Sequence, residues 1–276
     1  MSTLRQVFCE TLGTKLALPD RLERVVSFSP AVTETLFQLG AGDAVVGVSA
    51  FCARPPEARK KRVLGSYNTV DTKVLGEVKP DLIFTTTGYQ REFALRLGKD
   101  LPVYAVELPV NLVGIIEMVG KVGLITDKIR EATSLSRNLV NILSEMKPLS
   151  KRLKVYLEID FGGPVSFGAY SYITDALRYL GAESVYGSQP CEWLTPDLDF
   201  VKREDPDAIV YEAKMYSRFG QDQLTSLLRA RGWSDSRAVR NGHVFLAPGP
   251  LDFFAHHGPS FITNALPWLR NQLASV

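Results

Sequence analysis

The stretch VVSFSPAVTETLFQLGAGDAVVGVS, residues 25–49, predicts a strand, a helix and a second strand in succession. Its opening apolar run has the length of a short buried strand. Ser29 or Thr33 can cap the helix that follows, and Gly40 marks the end of that helix. The second apolar run, 44–49, again has the character of a strand. Because strands separated by helices are typical of parallel sheets, we predict an α/β fold.

Similar segments recur in the second half of the chain. ITDALRYLGAESVYG (173–187) resembles TETLFQLGAGDAVVG (33–47), and FVKREDPDAIV (200–210) resembles VLGEVKPDLIF (74–84). The two pairs keep their order along the chain. Further strand-like runs lie at 79–86, 101–108 and 154–159. The repetition predicts two Rossmann-like halves, each with a parallel sheet.

Between the halves, the segment Leu124–Lys147 contains neither Gly nor Pro, and its apolar residues follow a spacing of three and four. A helix over this segment would be about 36 Å long, enough to span a small domain. We therefore predict two Rossmann-like lobes joined by a single long α-helix, with a ligand cleft between the lobes. The predicted domains are an N-terminal lobe (1–123), a connecting helix (124–148) and a C-terminal lobe (149–276).

The composition excludes several classes of function. The 32 basic and 30 acidic residues are well mixed, so no broad basic field indicates nucleic acid as a partner. Three widely spaced cysteines argue against a disulfide framework and a zinc ribbon. No stretch reaches the about 18 apolar residues of a membrane span. The first twenty residues lack the apolar core of a secretory signal, so we expect either a trimmed chain or a cytoplasmic protein.

Aromatic residues are concentrated in the loops predicted to follow strands, which favours a large, flat, amphipathic ligand. These residues are Phe51, Tyr67, Tyr89, Phe167, Tyr170, Tyr172, Trp193, Tyr216, Phe253 and Phe254. The alternative for each ring is that it packs against its own lobe.

The segment PLDFFAHHGPS, 250–260, carries two of the three histidines, His256 and His257. Adjacent side chains diverge on a strand and on a helix, so both imidazoles rarely reach one ion. A bare divalent ion usually needs three or four His, Asp or Glu ligands, so we predict no metal site. The chain also lacks GxGxxG, GxxxxGK[ST] and GxSxG motifs, and no constellation indicates a catalytic residue.

Residues 25–49, together with PPEA (55–58) and KPDLIF (79–84), resemble the opening of the class III periplasmic binding proteins. The likeness continues to GPSFITNALPWL near the C-terminus. The resemblance implies a non-enzymatic substrate-binding protein of an ABC importer, without a covalently bound cofactor. The implied ligand is a cobalt or iron chelate: a corrinoid such as cobalamin, a ferric siderophore or haem.

The resemblance also implies a set of ligand-binding residues on the strand-end loops. In this sequence they are Phe51, Tyr67, Tyr89, Tyr170, Trp193, Asp252, Phe254 and His256. Trp193 stands at a ligand-stacking aromatic position, and Asp252 matches an acidic residue of the last ligand loop. His256 falls where cobalamin binders carry Arg, and we expect it to face the ligand cleft while His257 does not.

The family's members usually dock on their permease through one Glu per lobe, seven residues before the Pro of a Pro-Asp pair. The corresponding residues here are Asp199 and Lys73; the implied docking acids are Asp199 and Asp71, which lies two residues from Lys73 and takes its place if the loop is reset. The implied partner is therefore an ABC permease and the implied location is the cell envelope; we expect a monomer. Because Lys73 would repel the Arg of a permease pocket, the alternative is a cytoplasmic binding protein of the same fold. A tetrapyrrole chelatase is the enzymatic alternative.

Overall fold

The structure is a computed structural model that describes residues 4–276. The chain divides into two compact units. The N-terminal unit comprises the residues up to Leu108 together with Val113–Asn141, and the C-terminal unit comprises Pro109–Leu112 and Ile142–Val276. Among the described residues, no helix is both long and apolar enough to cross a membrane.

The first part of the chain forms a β-hairpin, a parallel sheet and the helices that connect its strands. Its elements are β1 (Leu4–Cys9), β2 (Thr14–Pro19), β3 (Val25–Ser27), α1 (Pro30–Gln38), β4 (Val45–Ser49), β5 (Arg62–Gly65), α2 (Thr72–Val78), β6 (Leu82–Thr86), α3 (Arg91–Leu97), β7 (Val103–Val106), α4 (Leu112–Ile125) and α5 (Ile129–Glu145). Strands β1 and β2 pair with each other, antiparallel. The parallel sheet has the order β5-β4-β3-β6-β7.

The second part repeats this plan with an antiparallel addition. Its elements are β8 (Lys154–Asp160), β9 (Pro164–Phe167), α6 (Tyr172–Tyr179), β10 (Glu183–Ser184), β11 (Trp193–Leu194), α7 (Leu198–Glu204), β12 (Ala208–Glu212), α8 (Gln221–Ala230), α9 (Arg237–Arg240), β13 (Val244–Leu246) and α10 (Leu266–Leu273). Strands β10, β8, β12 and β13 lie parallel in that order. Strand β9 pairs antiparallel with β8, and β11 pairs antiparallel with β9. The predicted α/β fold with parallel sheets is confirmed.

The repeated LGA sequences end α1 and α6 in the same way. Ser29 caps the start of α1, and after each helix a glycine takes a left-handed backbone, Gly40 with φ +71° and Gly181 with φ +84°. The N–H of the residue after the glycine then donates to the carbonyl five residues back. Ala41 donates to Leu36 in one unit and Ala182 to Leu177 in the other, each at 2.8 Å. Glycine takes this backbone without strain, which is why both helices stop here.

The Asp of each Pro-Asp pair has the same role in its unit. Asp81 accepts hydrogen bonds from the backbone N–H groups of Glu23 and Arg24, both at 2.8 Å. Asp207 accepts one from the N–H of Lys154, also at 2.8 Å. Each carboxylate therefore fixes the entry of one central strand against its neighbour, β3 beside β6 and β8 beside β12.

The prediction of one uninterrupted helix over Leu124–Lys147 was wrong at its start. Helix α4 ends at Ile125, Asp127 takes a left-handed backbone with φ +55°, and the Lys128 N–H donates to the Gly123 carbonyl at 2.7 Å. This is the hydrogen bond that terminates a helix in a Schellman motif, here without a glycine at the left-handed position. A Cβ atom on Gly123 would lie 2.2 Å from the Cβ of Ala132, so α4 and α5 approach each other closely here.

Helix α5 itself passes from the N-terminal unit into the C-terminal unit at Asn141. The domain boundaries at 123/124 and 148/149 stay predictions.

Candidate ligand-binding surfaces

The N-terminal unit carries a cluster of aromatic side chains, Phe51, Tyr67 and Tyr89, which we call the N-terminal aromatic cluster. The ring centroids of Phe51 and Tyr67 are 6.2 Å apart, and those of Tyr67 and Tyr89 are 6.4 Å apart. The residues follow β4, β5 and β6, and the carboxyl ends of parallel strands meet at one edge of a sheet, where such folds bind ligands. Tyr89 is 68% exposed and Phe51 36%, so the cluster presents aromatic surface to solvent.

The loop that carries Tyr67 is a tight turn. The Ser66 N–H donates to the Thr69 carbonyl at 2.9 Å, and Gly65 pairs with Val70 in an isolated bridge. A Cβ atom on Gly65 would lie 2.0 Å from the Thr69 carbonyl oxygen. Only glycine fits this position, which therefore fixes where the Tyr67 loop leaves β5.

The C-terminal unit exposes Tyr170 and Trp193, which we call the C-terminal aromatic pair; their side chains are 55% and 50% exposed. The two residues lie on adjacent segments. Trp193 in β11 pairs with Phe167 in β9, and the Tyr170 N–H donates to the Cys191 carbonyl at 3.0 Å. Because the backbone that carries these exposed rings is already held by hydrogen bonds, little conformational entropy of that backbone is lost when a ligand stacks on them.

The loop after β13, residues 247–260, is anchored by Glu212 at the end of β12. This buried carboxylate accepts hydrogen bonds from the N–H groups of Phe253 (3.0 Å), Phe254 and Ala255 (3.3 Å). The pKa of Glu212 is raised to about 7, mainly by burial and in smaller part by the Asp252 charge, while the three N–H groups oppose the rise. No sequence pattern marks Glu212, because a strand-end acid in a chain of mixed charge is unremarkable before its burial is known.

Phe254 does not lie on a surface, and its contact with a ligand stays a prediction. Its ring is fully buried and packs edge-on against Phe253, Phe261 and Trp268, with centroid distances of 5.2, 6.4 and 5.8 Å. The C-terminal helix, which follows this loop, supplies Trp268 and draws the ring into the core.

His256 and His257 are both buried, and the prediction that His256 faces the ligand cleft stays a prediction. The His256 Nδ1 atom lies 3.9 Å from an Asp252 carboxylate oxygen, and the Asp252 side chain is 15% exposed. Burial lowers the pKa of His257 to about 3, with His256 adding to the shift, and this keeps His257 neutral. Within residues 4–276, no group of three or more His, Cys, Asp or Glu side chains is arranged to hold a metal ion.

Lys73 and Asp199, the counterparts of the family's two docking acids, occupy equivalent helix positions, whereas the predicted docking residue Asp71 lies at the N-cap of α2. Lys73 and Asp199 are each exposed at the second residue of a helix, α2 and α7 respectively. Asp71 caps α2, accepting from the Lys73 and Val74 N–H groups at 2.9 and 3.2 Å. The two units thus present opposite charges at corresponding sites, and Asp71 is already engaged in capping.

Both α/β units carry exposed aromatic rings, the N-terminal unit at the carboxyl edge of its parallel sheet and the C-terminal unit beside its antiparallel strands β9 and β11. Such surfaces are typical of proteins that bind ligands. Residues 25–251 match the family model of periplasmic binding proteins. The chain belongs to this family.

Its relatives include proteins named for cobalamin. A cobalamin-binding protein of Halobacterium salinarum is 26% identical over 208 residues, covering 72% of this chain and 56% of that protein. This chain thus spans little more than half the length of that relative. A vitamin B12-binding protein of Yersinia pestis is 24% identical over 201 residues, covering 71% of each chain. The molybdate periplasmic binding protein MolA of a Haemophilus influenzae ABC transporter has the same fold, with a TM-score of 0.77 and 20% identity, covering 98% of this chain and 91% of MolA.

Proposed function

We propose that this protein is the substrate-binding component of an ABC importer and binds a metal chelate, with a corrinoid such as cobalamin as the leading candidate and haem or a ferric siderophore as the others. The observation that carries the proposal is the exposed aromatic surface on the strand-end loops of both units. The names of the cobalamin-binding relatives support the choice of a corrinoid.

The chemistry of these surfaces suits a flat macrocycle. Tyr and Trp rings offer large amphipathic contact areas at a low cost in conformational entropy, and they stack well on extended ring systems. Asp252 can accept hydrogen bonds from the amide side groups of a corrin ring. The protein binds its ligand and performs no chemistry on it.

The partner in this proposal is a membrane permease, and the location is the cell envelope, as the family's name suggests. Asp199 is the docking acid of the C-terminal unit. In the N-terminal unit Lys73 takes the equivalent position, so the permease surface that meets it is expected to carry an acid or to lack the usual Arg.

The proposal is tested by equilibrium dialysis of the purified protein against cyanocobalamin, haemin and ferrichrome. We expect saturable binding of one of them, cyanocobalamin first. Trp193→Ala should weaken binding about tenfold or more, since aromatic stacking at a central contact is worth about 1–3 kcal/mol. Tyr179→Ala, which removes an exposed ring from helix α6, is the matched control and should leave binding unchanged. Absence of binding to all three probes would refute the proposal.

A further inference from the structure

The side-chain amide of Gln90 is fully buried at the carboxyl edge of the N-terminal sheet. Gln90 ends the short 3-10 turn Gly88–Gln90 that follows β6. It comes directly after Tyr89 of the N-terminal aromatic cluster. A buried amide in such a place must satisfy two donor hydrogens and a carbonyl oxygen, so its partners decide what it holds.

The amide has four hydrogen-bond contacts. Its Nε2 group donates to the carbonyl of Phe28 at 3.0 Å and to the carbonyl of Tyr67. Its Oε1 atom accepts from the N–H of Thr86 at 2.8 Å and from the Thr86 hydroxyl at 2.9 Å. Two acceptors stand on one side and two donors on the other, so the orientation of the amide is determined by its surroundings.

These contacts connect separate parts of the binding edge. Phe28 follows β3, Tyr67 lies in the turn after β5, and Thr86 ends β6. From outside, the Tyr67 turn is further held by Arg96, whose guanidinium donates to the Asn68 carbonyl at 3.3 Å at an exposed position. The Gln90 amide thus links β3 and β6 to the Tyr67 backbone from the inner side of the turn.

We infer that Gln90 is a positioning residue for ligand binding, setting the Tyr67 turn and the adjoining Tyr89 so that the N-terminal aromatic cluster is ordered before the ligand arrives. The inference rests on the proposed function, because the cluster matters only if a ligand meets it. Rings fixed in advance bind more tightly than rings that must be ordered on binding. Gln90 itself is buried and acts through Tyr67 and Tyr89 rather than by touching the ligand.

Other side chains of similar size cannot take this role. A methionine side chain would fill the space but leave two buried carbonyls and the Thr86 N–H without their partner, which is unfavourable. A glutamate side chain would keep the acceptor for Thr86 but turn an oxygen toward the carbonyls of Phe28 and Tyr67. Both substitutions should release the Tyr67 turn while the sheet below it stays intact.

The test uses the full chain, cyanocobalamin as the first probe, and haemin and ferrichrome if cyanocobalamin does not bind. Gln90→Met and Gln90→Glu are compared with Leu39→Ala, which removes a buried side chain after α1 in the same unit and so lowers stability away from the binding edge. We expect both Gln90 variants to raise Kd about tenfold or more, since a ring left mobile must be ordered on binding. The Leu39→Ala control should leave Kd within about twofold. If Gln90→Met fails to fold, the comparison with Leu39→Ala is made with Gln90→Glu alone.

Two further readouts separate positioning from general stability. Amide hydrogen exchange should quicken in the peptide that contains Tyr67 for the Gln90 variants and not for Leu39→Ala. In a Tyr67→Ala background, Gln90→Glu should weaken binding much less than it does in the wild type, because both changes act through one contact.

The inference is overturned by Gln90 variants that keep the wild-type Kd, by an equal loss of affinity in Leu39→Ala, or by an undiminished Gln90→Glu effect in the Tyr67→Ala background. If the wild type binds none of the probes, the proposed function fails. In that case hydrogen exchange alone tests whether Gln90 positions the Tyr67 turn: faster exchange of the Tyr67 peptide in the Gln90 variants supports the inference, and unchanged exchange overturns it.

Discussion

Replacing Glu212 with glutamine is expected to change how folding stability depends on pH. In the folded protein, burial raises the pKa of Glu212 to about 7 from its ordinary 4.5. The folded state therefore holds its proton where the unfolded state has lost it, so stability is highest below the unfolded pKa and falls as pH rises through the folded one. Between pH 5 and pH 8 this group alone lowers the free energy of unfolding by about 2–3 kcal/mol.

His257 acts in the opposite direction. Burial lowers its pKa to about 3 from 6.5, so the folded state resists a proton that the unfolded state accepts below pH 6.5. Its contribution to stability rises by about 2 kcal/mol from pH 5 to pH 8. In the wild type these two slopes oppose each other, and Glu212→Gln removes the one that Glu212 supplies.

The assay is urea denaturation of wild type and Glu212→Gln at pH 5 and pH 8. Between these pH values we expect the free energy of unfolding of the variant to rise by about 2–3 kcal/mol more than that of the wild type, a difference in which all other titrating groups cancel. The reasoning is refuted if the two proteins show the same change with pH. A variant destabilised equally at both pH values would show that the substitution merely weakens the hydrogen bonds to the 253–255 backbone.

Three other outcomes follow from single contacts. Arg231→Met should lower the free energy of unfolding, measured by urea titration, by about 3–5 kcal/mol. The buried Glu158 carboxylate would lose its counter-charge, the Arg231 guanidinium that donates to its two oxygens at 2.7 and 2.8 Å. Adding Glu158→Leu should restore much of this loss; no recovery would contradict the role of the ion pair. Asp127→Gly should raise thermal stability by about 0.5–1 kcal/mol, since glycine takes the left-handed backbone without strain, whereas Asp127→Ala should lower it. Lys73→Glu should weaken binding to the cognate permease in nanodiscs roughly two- to fivefold, because the surface that meets Lys73 is expected to carry an acid; Lys79→Glu at the end of the same helix is the control, and stronger binding of Lys73→Glu would contradict this pairing.

The sequence patterns predicted the elements whose signals are local. Ser29 before α1, Gly40 after it and the apolar runs of the central strands are each legible within a few residues, so those elements were found nearly at their observed bounds. The break between α4 and α5 was missed because Asp127 adopts a backbone usually left to glycine. The hairpin of β1 and β2 was missed because its strands are short and partly exposed.

The binding residues were harder to predict because burial depends on distant contacts. Phe254 and Trp193 are both aromatic residues in segments predicted to be loops, yet one ring is fully buried and the other half exposed. Packing against Trp268 decides the difference, and that residue is remote from the loop in any local pattern. Gln90 and Glu212 give no signal at all in one sequence, since their importance lies in the backbone groups they meet.

Native mass spectrometry of the protein purified from its own host tests the central claim most directly. We expect a bound species whose mass and visible spectrum match a cobalt or iron chelate, with a corrinoid as the leading candidate, and we expect Trp193→Ala to lose it. Protein that carries no chelate, and takes up none when cyanocobalamin, haemin and ferrichrome are supplied, would contradict the account.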